Sequence, residues 1–378
     1  MSLLLLSLLA CGPGLKRAWE VNPGDYSPVP AITRDGTLIT SSYAPYTTQG
    51  TTMALDPADG QQLWSYNVEN GSTMGVVLDA DDDVVVADST GLVGLDPADG
   101  SEVWSVTLPN RPGAMAVDAT QGIVYTVYQA AGGTPELAAI QDGAVRWTLP
   151  CEAGWGNLAV GADGTLFLAT ETTARAISTA GEVLWEVTLP AAAVFGVLDS
   201  AHFVLSLGPS TESAASVAVL SRADGAVAWS TEQGCSTEPV IGADGTIYCG
   251  SYAGILAMDG ETGALLWSSG ENTCDVAIGG DGRLYALAML LEDEAFPELG
   301  SNLEFTVASA SDGEILWREM QYEALDSSGG APNFDGRRVY YAGGYFYAYV
   351  YAFDGGPGLG GGPWPRGGAD AGNRRQEQ

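Results

Sequence analysis

The chain has 378 residues, of which 46% are hydrophobic and 16% are charged, a composition that excludes a wholly disordered protein. Its 14 basic and 47 acidic side chains give a formal net charge of −33. This argues against a surface for nucleic acid or anionic membranes, because both need a positive field. The 51 glycines and 19 prolines, without long helical patterns, indicate an all-β chain with many tight turns.

The N-terminus carries a processing signal. Residues 2–10 form a short apolar block, and Leu8-Leu9-Ala10-Cys11 resembles a bacterial lipobox, in which the cysteine is acylated and becomes the new N-terminus. Acyl chains hold a protein on a membrane, since each buried methylene contributes about 0.8 kcal/mol. We predict a signal peptide over 1–10, a lipidated anchor and linker over 11–16, and an extracytoplasmic location at the outer membrane. The alternatives are an ordinary cleaved signal peptide and a start codon assigned too far downstream.

Tryptophans recur along the chain at intervals of 38 to 50 residues, the period expected of propeller blades. They are Trp19, Trp64, Trp104, Trp147, Trp185, Trp229, Trp267 and Trp317. Each one after the first follows a glycine placed four positions earlier, in a turn that ends a short strand. An upstream turn in many repeats is an Asp-Gly pair, which suits a tight hairpin because both positions tolerate positive φ.

Each repeat therefore predicts four antiparallel strands, which bury their faces only by stacking around an axis. We predict a single all-β propeller over 17–354 with eight four-stranded blades, seven being the alternative. The eighth repeat supplies three strands, so the N-terminal strand around Trp19 is predicted to complete it and close the ring. Residues 355–378 are predicted as a Gly-rich C-terminal tail, in which Trp364 either docks on the ring or lies in a flexible segment.

The repeat is clearest in Ala257–Trp267, with the pattern A-x-D-x-x-T-G-x-x-x-W, and resembles the tryptophan-docking repeat of quinoprotein (PQQ-like) β-propellers. This resemblance implies that the eight tryptophans are structural, each indole packed between neighbouring blades. It also makes a quinone-dependent dehydrogenase the alternative function, with a quinone on the axis, a divalent cation and a carboxylate base. Such enzymes carry a vicinal cysteine pair, which this chain lacks. We therefore expect no enzyme activity and no cofactor, since a fold does not imply an activity.

Other chemical motifs are weak. The acidic run Asp79–Asp83 suggests a calcium loop, but the sixth and twelfth positions of an EF-hand pattern are Val84 and Thr90 instead of Gly and Glu. His202 is the single histidine, so it has no second histidine for zinc. We interpret both as turn residues and expect neither a catalytic nor a metal site.

Four cysteines follow the predicted anchor, an even number in an oxidising compartment, which indicates one or two disulfides. Cys235, Cys249 and Cys274 fall in adjacent repeats, whereas Cys151 lies two blades away. We predict a disulfide among Cys235, Cys249 and Cys274, with the pairing left open. Buried free thiols are the alternative.

The irregular loops of the predicted blades emerge on the face opposite the short turns. They carry our candidate partner-binding residues, which are Tyr43, Tyr46, Trp155, Leu290, Leu291 and Phe296. The insertion 289–302 mixes exposed apolar residues with acids, a composition typical of a contact surface.

We predict a monomeric ring that is a non-catalytic binding or assembly scaffold. It would bind a protein partner and touch the membrane through its lipid anchor alone. In lipobox, size and blade number the chain resembles the propeller lipoproteins of the machinery that assembles outer-membrane β-barrels. A carbohydrate- or peptide-binding surface module is a further alternative.

Overall fold

The structure is a computed structural model that describes residues 15–24, 30–43, 49–69, 76–152, 157–208, 215–269, 275–290, 301–324, 331–343, 348–362, 365–366 and 376–377. Within these ranges the chain forms 32 β-strands, and it contains no helix long and apolar enough to cross a membrane. The strands make eight antiparallel sheets of four strands each, which are the blades of a propeller. The prediction of eight blades is confirmed.

The first four complete blades follow one another along the chain, each with its first strand nearest the axis. They are blade 1, β2 (Ala31–Ile32), β3 (Leu38–Tyr43), β4 (Gln49–Leu55) and β5 (Gln62–Glu69); blade 2, β6 (Val77–Leu78), β7 (Val84–Asp88), β8 (Gly91–Leu95) and β9 (Glu102–Thr107); blade 3, β10 (Pro112–Asp118), β11 (Ile123–Gln129), β12 (Pro135–Gln141) and β13 (Ala144–Pro150); blade 4, β14 (Asn157–Val160), β15 (Leu166–Ala169), β16 (Thr173–Ile177) and β17 (Val183–Thr188).

The remaining blades keep this order until the last, which takes its outer strand from the N-terminus. They are blade 5, β18 (Ala193–Leu198), β19 (His202–Leu207), β20 (Ser216–Ser221) and β21 (Val227–Thr231); blade 6, β22 (Val240–Ile241), β23 (Ile247–Ser251), β24 (Gly254–Met258) and β25 (Leu265–Ser268); blade 7, β26 (Val276–Ile278), β27 (Arg283–Leu290), β28 (Ser301–Ser309) and β29 (Ile315–Ala324); blade 8, β30 (Asn333–Phe334), β31 (Arg338–Gly343), β32 (Ala348–Asp354) and β1 (Lys16–Gly24).

The N-terminal strand closes the ring. β1 pairs antiparallel with β32, from Lys16 opposite Asp354 to Gly24 opposite Ala348. On its other side, the Trp19 indole Nε1 donates to the Pro57 carbonyl oxygen of blade 1 at 3.0 Å. β1 therefore joins blade 8 to blade 1, as the three-stranded eighth repeat predicted. With β1 as its outer strand, blade 8 has four strands and β32 is not left as an unpaired edge.

Burial follows the position of a strand within its blade. The third strand of blade 2, β8, is buried at all five residues, whereas the outer strand β9 alternates between exposed and half-buried residues. The inner strands are covered on both faces because each blade packs between two others, so they are continuous apolar runs. The core is thus divided into clusters between neighbouring blades, such as the one that contains Phe167 and Phe203.

Six of the eight repeated tryptophans contact the next blade in the same way. Their Nε1 atoms donate to backbone carbonyls in the turn before that blade's outer strand, in the pairs Trp19–Pro57, Trp64–Pro97, Trp147–Thr179, Trp185–Arg222, Trp229–Gly260 and Trp267–Ala310. The indole lies over the turn glycine. At Gly263 (φ +71°), for example, an added Cβ would meet Trp229 Cε3 at 2.5 Å.

The two faces of the ring differ in their connections. The hairpins between first and second strands and those between third and fourth strands emerge together on what we call the turn face, because antiparallel strands alternate in direction. The loops between second and third strands, and those between blades, emerge on the opposite loop face.

Candidate functional site

Most of the partner-binding residues predicted from sequence lie outside the described residues. These are Tyr46, Trp155, Leu291 and Phe296, and Cys11 and Cys274 also lie outside. Tyr43 ends β3 and Leu290 ends β27, so the backbone carries both positions to the loop face. Their role in binding stays a prediction.

The cysteines have two different states. Cys235 and Cys249 form a disulfide that ties the segment before β22 to strand β23. Cys151 is a buried free thiol, and burial raises its pKa to about 11. The Cys151 thiol therefore stays protonated at neutral pH, which makes it a poor nucleophile.

The acidic run Asp79–Asp83 and His202 both lie in hairpins of the turn face. One Asp79 carboxylate oxygen accepts the backbone N–H groups of Asp81 and Asp83 at 3.0 and 2.9 Å, which shapes the turn between β6 and β7. His202 Nδ1 lies 3.1 Å from the Asp199 carboxylate in the equivalent turn of blade 5. In the part of the chain that the structure describes, no three His, Cys, Asp or Glu side chains are grouped to hold a metal ion.

A pocket opens between blades 2 and 3 because the turn before the outer strand of blade 3 breaks the repeat. Gln141 pairs with Ala144, so the blade 3 turn has only two residues, whereas four separate Asp259 from Ala264 in blade 6. The Trp104 indole lies instead over Gly94 of its own blade, where an added Cβ would meet Nε1 at 2.2 Å. The result is a cavity of about 310 Å³ lined by Asp79, Ala80, Asp81, Asp83, Val103, Trp104, Gly122, Val124, Ile140 and Asp142.

The carboxylates of this interblade pocket repel one another. Burial, together with the charges of Asp79, Asp81, Asp96 and Asp82, raises the pKa of Asp83 to about 6. The pKa of Asp79 is raised by its burial, against hydrogen bonds from two backbone N–H groups and the Trp104 indole that lower it. Both shifts mean that the folded chain favours the protonated, neutral form of these two carboxyl groups.

We expect Asp83→Asn to stabilise the protein above pH 6. The pKa of Asp83 is higher in the folded protein than its ordinary value of 3.8, so the folded state binds this proton more tightly. The stabilisation of the wild type by this proton is therefore complete below pH 4 and is lost as the pH rises through about 6. Urea unfolding at pH 4 and pH 8 measures the difference. Asp99→Asn is the control, because hydrogen bonds from Ser101 lower the pKa of that exposed carboxyl. An Asp83→Asn variant no more stable than the wild type at pH 8 would contradict the assignment.

The C-terminal residues dock on the inner strands that border the axis. The Ile278 N–H donates to the Pro365 carbonyl at 2.7 Å, and the Gly360 N–H donates to the Ile278 carbonyl at 2.8 Å. Arg366 is buried and donates to the carbonyls of Ala331 and Pro332 in blade 8 at 3.1 and 3.2 Å. Residues 365–366 therefore occupy part of the central channel beside blades 7 and 8.

Arg366 also affects a carboxyl group at the start of blade 7. Burial and the Glu238 carboxylate raise the pKa of Asp275, and Arg366 lowers it, with a net pKa of about 7. The guanidinium thus offsets part of the cost of placing two acids near the channel.

The last described residues dock on the other side of the ring. Gln376 and Glu377 contact blades 3, 4 and 5, with the Glu377 N–H donating to the Val160 carbonyl at 2.8 Å. Arg222 Nη1 donates to the Glu377 carboxylate at 2.6 Å. The described C-terminal residues therefore contact blades on both sides of the axis, whereas Trp364 lies outside the described residues and its docking stays a prediction.

Arg222 was not identified from the sequence, although a signal was present. It stands three residues before the turn glycine Gly225, where Pro57 and Pro97 stand in blades 1 and 2. An arginine at this repeat position, in a chain with 14 basic residues, departs from the repeat. Its backbone carbonyl keeps the structural role of accepting the Trp185 indole, which leaves its side chain for another contact.

The fold and its repeats define a PQQ-like β-propeller repeat protein. A family profile described as "Outer membrane protein assembly factor BamB" matches residues 48–149 and 213–356, which is more than half of the chain. The chain belongs to this family. A search of curated proteins found no significant match.

Solved structures share the fold at low sequence identity. BamB from Moraxella catarrhalis is 16% identical, with a TM-score of 0.62 over 90% of this chain and 99% of that one. The computationally designed Ika8 protein is 15% identical, with a TM-score of 0.66 over 89% and 99% of the two chains. Saccharomyces cerevisiae Sqt1 is 12% identical, with a TM-score of 0.66 over 90% and 99%. At these identities the likeness establishes the fold alone.

Proposed function

We propose that this chain is a non-catalytic scaffold outside the cytoplasm, anchored to the outer membrane by lipidated Cys11, that binds a protein partner during membrane-protein assembly. The observation that carries the proposal is the match to the outer membrane assembly factor family over blades 1 to 3 and 5 to 8. The solved BamB structure, which aligns with 90% of this chain, shares its fold.

The geometry of the ring favours a scaffold over a quinone enzyme. A quinone on the axis needs an open central channel, but Pro365 and the buried Arg366 occupy that channel beside blades 7 and 8. Hairpins join the strands within the described blades, and β1 closes the ring, which makes a rigid support for loops.

We place the partner on the loop face, where the segment 291–300 connects β27 to β28. The two strands pair along eight residues, from Arg283 opposite Ser309 to Leu290 opposite Asn302, so the segment is held at the end of a long hairpin. Exchanging this segment alone therefore leaves the pairing of blade 7 in place.

Replacing 291–300 by a Gly-Ser linker of equal length should abolish partner binding while leaving the unfolding temperature nearly unchanged. A photo-crosslinker at position 320, which lies opposite Glu304 in the outer strand β29 near the loop face, would report the partner in cells. The expected crosslink is to a component of the outer-membrane assembly machinery, and it should fall by about tenfold or more in the linker variant. The control is Ala58→Ser with Ala98→Ser, two exposed residues of the turn face, which should keep the crosslink. An undiminished crosslink in the linker variant would overturn this placement.

A further inference from the structure

A second binding site lies on the turn face of blades 3, 4 and 5. We propose that these blades bind an extended peptide in which an amide side chain precedes an acidic one, and that the chain's own residues Gln376 and Glu377 occupy this site in the structure. The site is on the opposite side of the ring from the loop 291–300. The inference goes beyond the scaffold role and does not rest on it.

The backbone of the bound segment adds to a sheet edge. β14 is the innermost strand of blade 4, so one of its edges faces the channel without a neighbouring strand of the blade. Gln376 forms a parallel bridge with Val160 at the end of β14, and the Glu377 N–H donates to the Val160 carbonyl at 2.8 Å. Strand addition of this kind binds an extended peptide through its main chain, whereas side-chain pockets give specificity.

The Glu377 side chain fills a pocket made for a carboxylate. It is buried, and its Oε2 accepts Arg222 Nη1 at 2.6 Å and the Ala162 backbone N–H at 3.2 Å. Hydrogen bonds to a carboxylate from a cation and a backbone amide are among the stronger ones in proteins. A peptide that places an uncharged side chain here would remove the carboxylate that Arg222 Nη1 contacts, and the guanidinium would be left with the Asp163 carboxylate.

Arg222 is held by several contacts besides the one to Glu377. Its Nη1 also donates to the Asp199 carbonyl at 2.8 Å, its Nη2 lies 3.1 Å from the Asp163 carboxylate, and its guanidinium stacks 5.1 Å from the Phe167 ring centroid. Gly161 leaves room for the Arg222 guanidinium, because a Cβ added to Gly161 would lie 2.1 Å from Arg222 Nη2. Holding the guanidinium in place reduces the entropy lost on binding, so this site is preorganised for an acidic side chain.

The residue before the carboxylate is also recognised. The Ala119 backbone N–H donates to Gln376 Oε1 at 3.0 Å, and Gln376 Nε2 lies 3.4 Å from the Asp118 carboxylate. A side-chain amide satisfies both partners because it accepts at one atom and donates at the other. The site therefore selects an extended segment with an amide side chain followed by an acid.

The chain's own segment has an advantage over a free peptide. The net charge of −33 repels acidic ligands at long range, so a free acidic peptide gains little from electrostatic attraction. A tethered segment acts at an effective concentration on the order of millimolar. The cis segment thus closes the site until a stronger acidic ligand displaces it.

The test uses the full chain and a fluorescent peptide with the sequence of residues 367–378, followed by fluorescence anisotropy. The variant Gln376→Ala with Glu377→Ala empties the site, so it should bind the peptide saturably. The wild type should bind about tenfold more weakly, because its own segment competes. A peptide with Gln at the position of Glu377 should bind about ten- to hundredfold more weakly than the parent peptide, the effect of losing a charged hydrogen bond.

Two further variants separate the site from general instability. Arg222→Gln, added to the emptied variant, should remove peptide binding. Arg175→Gln, a blade 4 arginine that pairs with Glu186 away from the site, should leave it unchanged. Equal binding of the parent and Gln-substituted peptides, or no binding to the emptied variant at millimolar peptide, would overturn the proposal. The peptide comparison needs no change in the protein, so it holds even where Arg222→Gln fails to fold.

Discussion

Deleting residues 12–22 is expected to destabilise the whole ring instead of loosening one blade. The deletion keeps Cys11 but removes most of β1, and with it the pairing to β32 and the Trp19 contact to blade 1. Blade 8 then loses its outer strand and blade 1 loses its connection to blade 8. We expect the free energy of unfolding to fall by about 3–5 kcal/mol or more, since truncating a single buried aromatic side chain already costs that much.

Thermal unfolding and hydrogen exchange measure this effect. The account predicts a lower unfolding temperature and faster exchange in all eight blades, because stacked repeats stabilise one another through their neighbours. The control combines Lys16→Ser and Ala18→Ser, two exposed β1 residues whose backbone pairing is kept, and should behave as the wild type. Faster exchange confined to 338–354 would contradict closure by β1.

The second large effect is expected at a turn glycine of blade 6. Gly263→Ala places a methyl group 2.5 Å from Trp229 Cε3 at a residue with φ +71°, so it adds a steric clash to backbone strain. Left-handed backbone costs about 1–2 kcal/mol in any residue with a Cβ, and overpacking adds about 1–3 kcal/mol. We expect Gly263→Ala to lower the free energy of unfolding by the sum of the backbone strain and the overpacking.

Gly245→Ala in the same blade is the matched control. Gly245 has φ +82° and an added Cβ would meet nothing within 4 Å, so this variant carries the strain without the clash. Urea unfolding should therefore show a larger loss for Gly263→Ala, by about 1–3 kcal/mol. Equal losses would show that the indole over the turn contributes nothing to stability, and the structural role predicted for the tryptophans would fail.

The fold could be predicted from the sequence because its signals are local and repeated. A glycine four residues before a tryptophan marks the same turn in seven repeats, and the missing fourth strand of the last repeat points to β1. The interblade pocket also has a local cause in the sequence. The turn between Gln141 and Ala144 has only two residues and is too short to receive the Trp104 indole.

The acidic-peptide site could not be predicted in the same way. Arg222 and Glu377 are 155 residues apart, and no periodicity links a blade turn to the C-terminal residues. Only the closed ring brings Ala119, Ala162 and Arg222 of three blades to one place. The choice of the Cys235–Cys249 disulfide likewise depends on distances in the folded blade, which the spacing of cysteines left open.

The most direct measurement of the proposed scaffold role is the amount of folded β-barrel protein in the outer membrane, read from heat-modifiable migration in gels. We predict that cells lacking this chain contain less of it, that the wild type restores it, and that Cys11→Ser does not because the protein leaves the membrane fraction. Unchanged β-barrel levels in cells lacking the chain, or full restoration by Cys11→Ser, would contradict a lipid-anchored assembly scaffold.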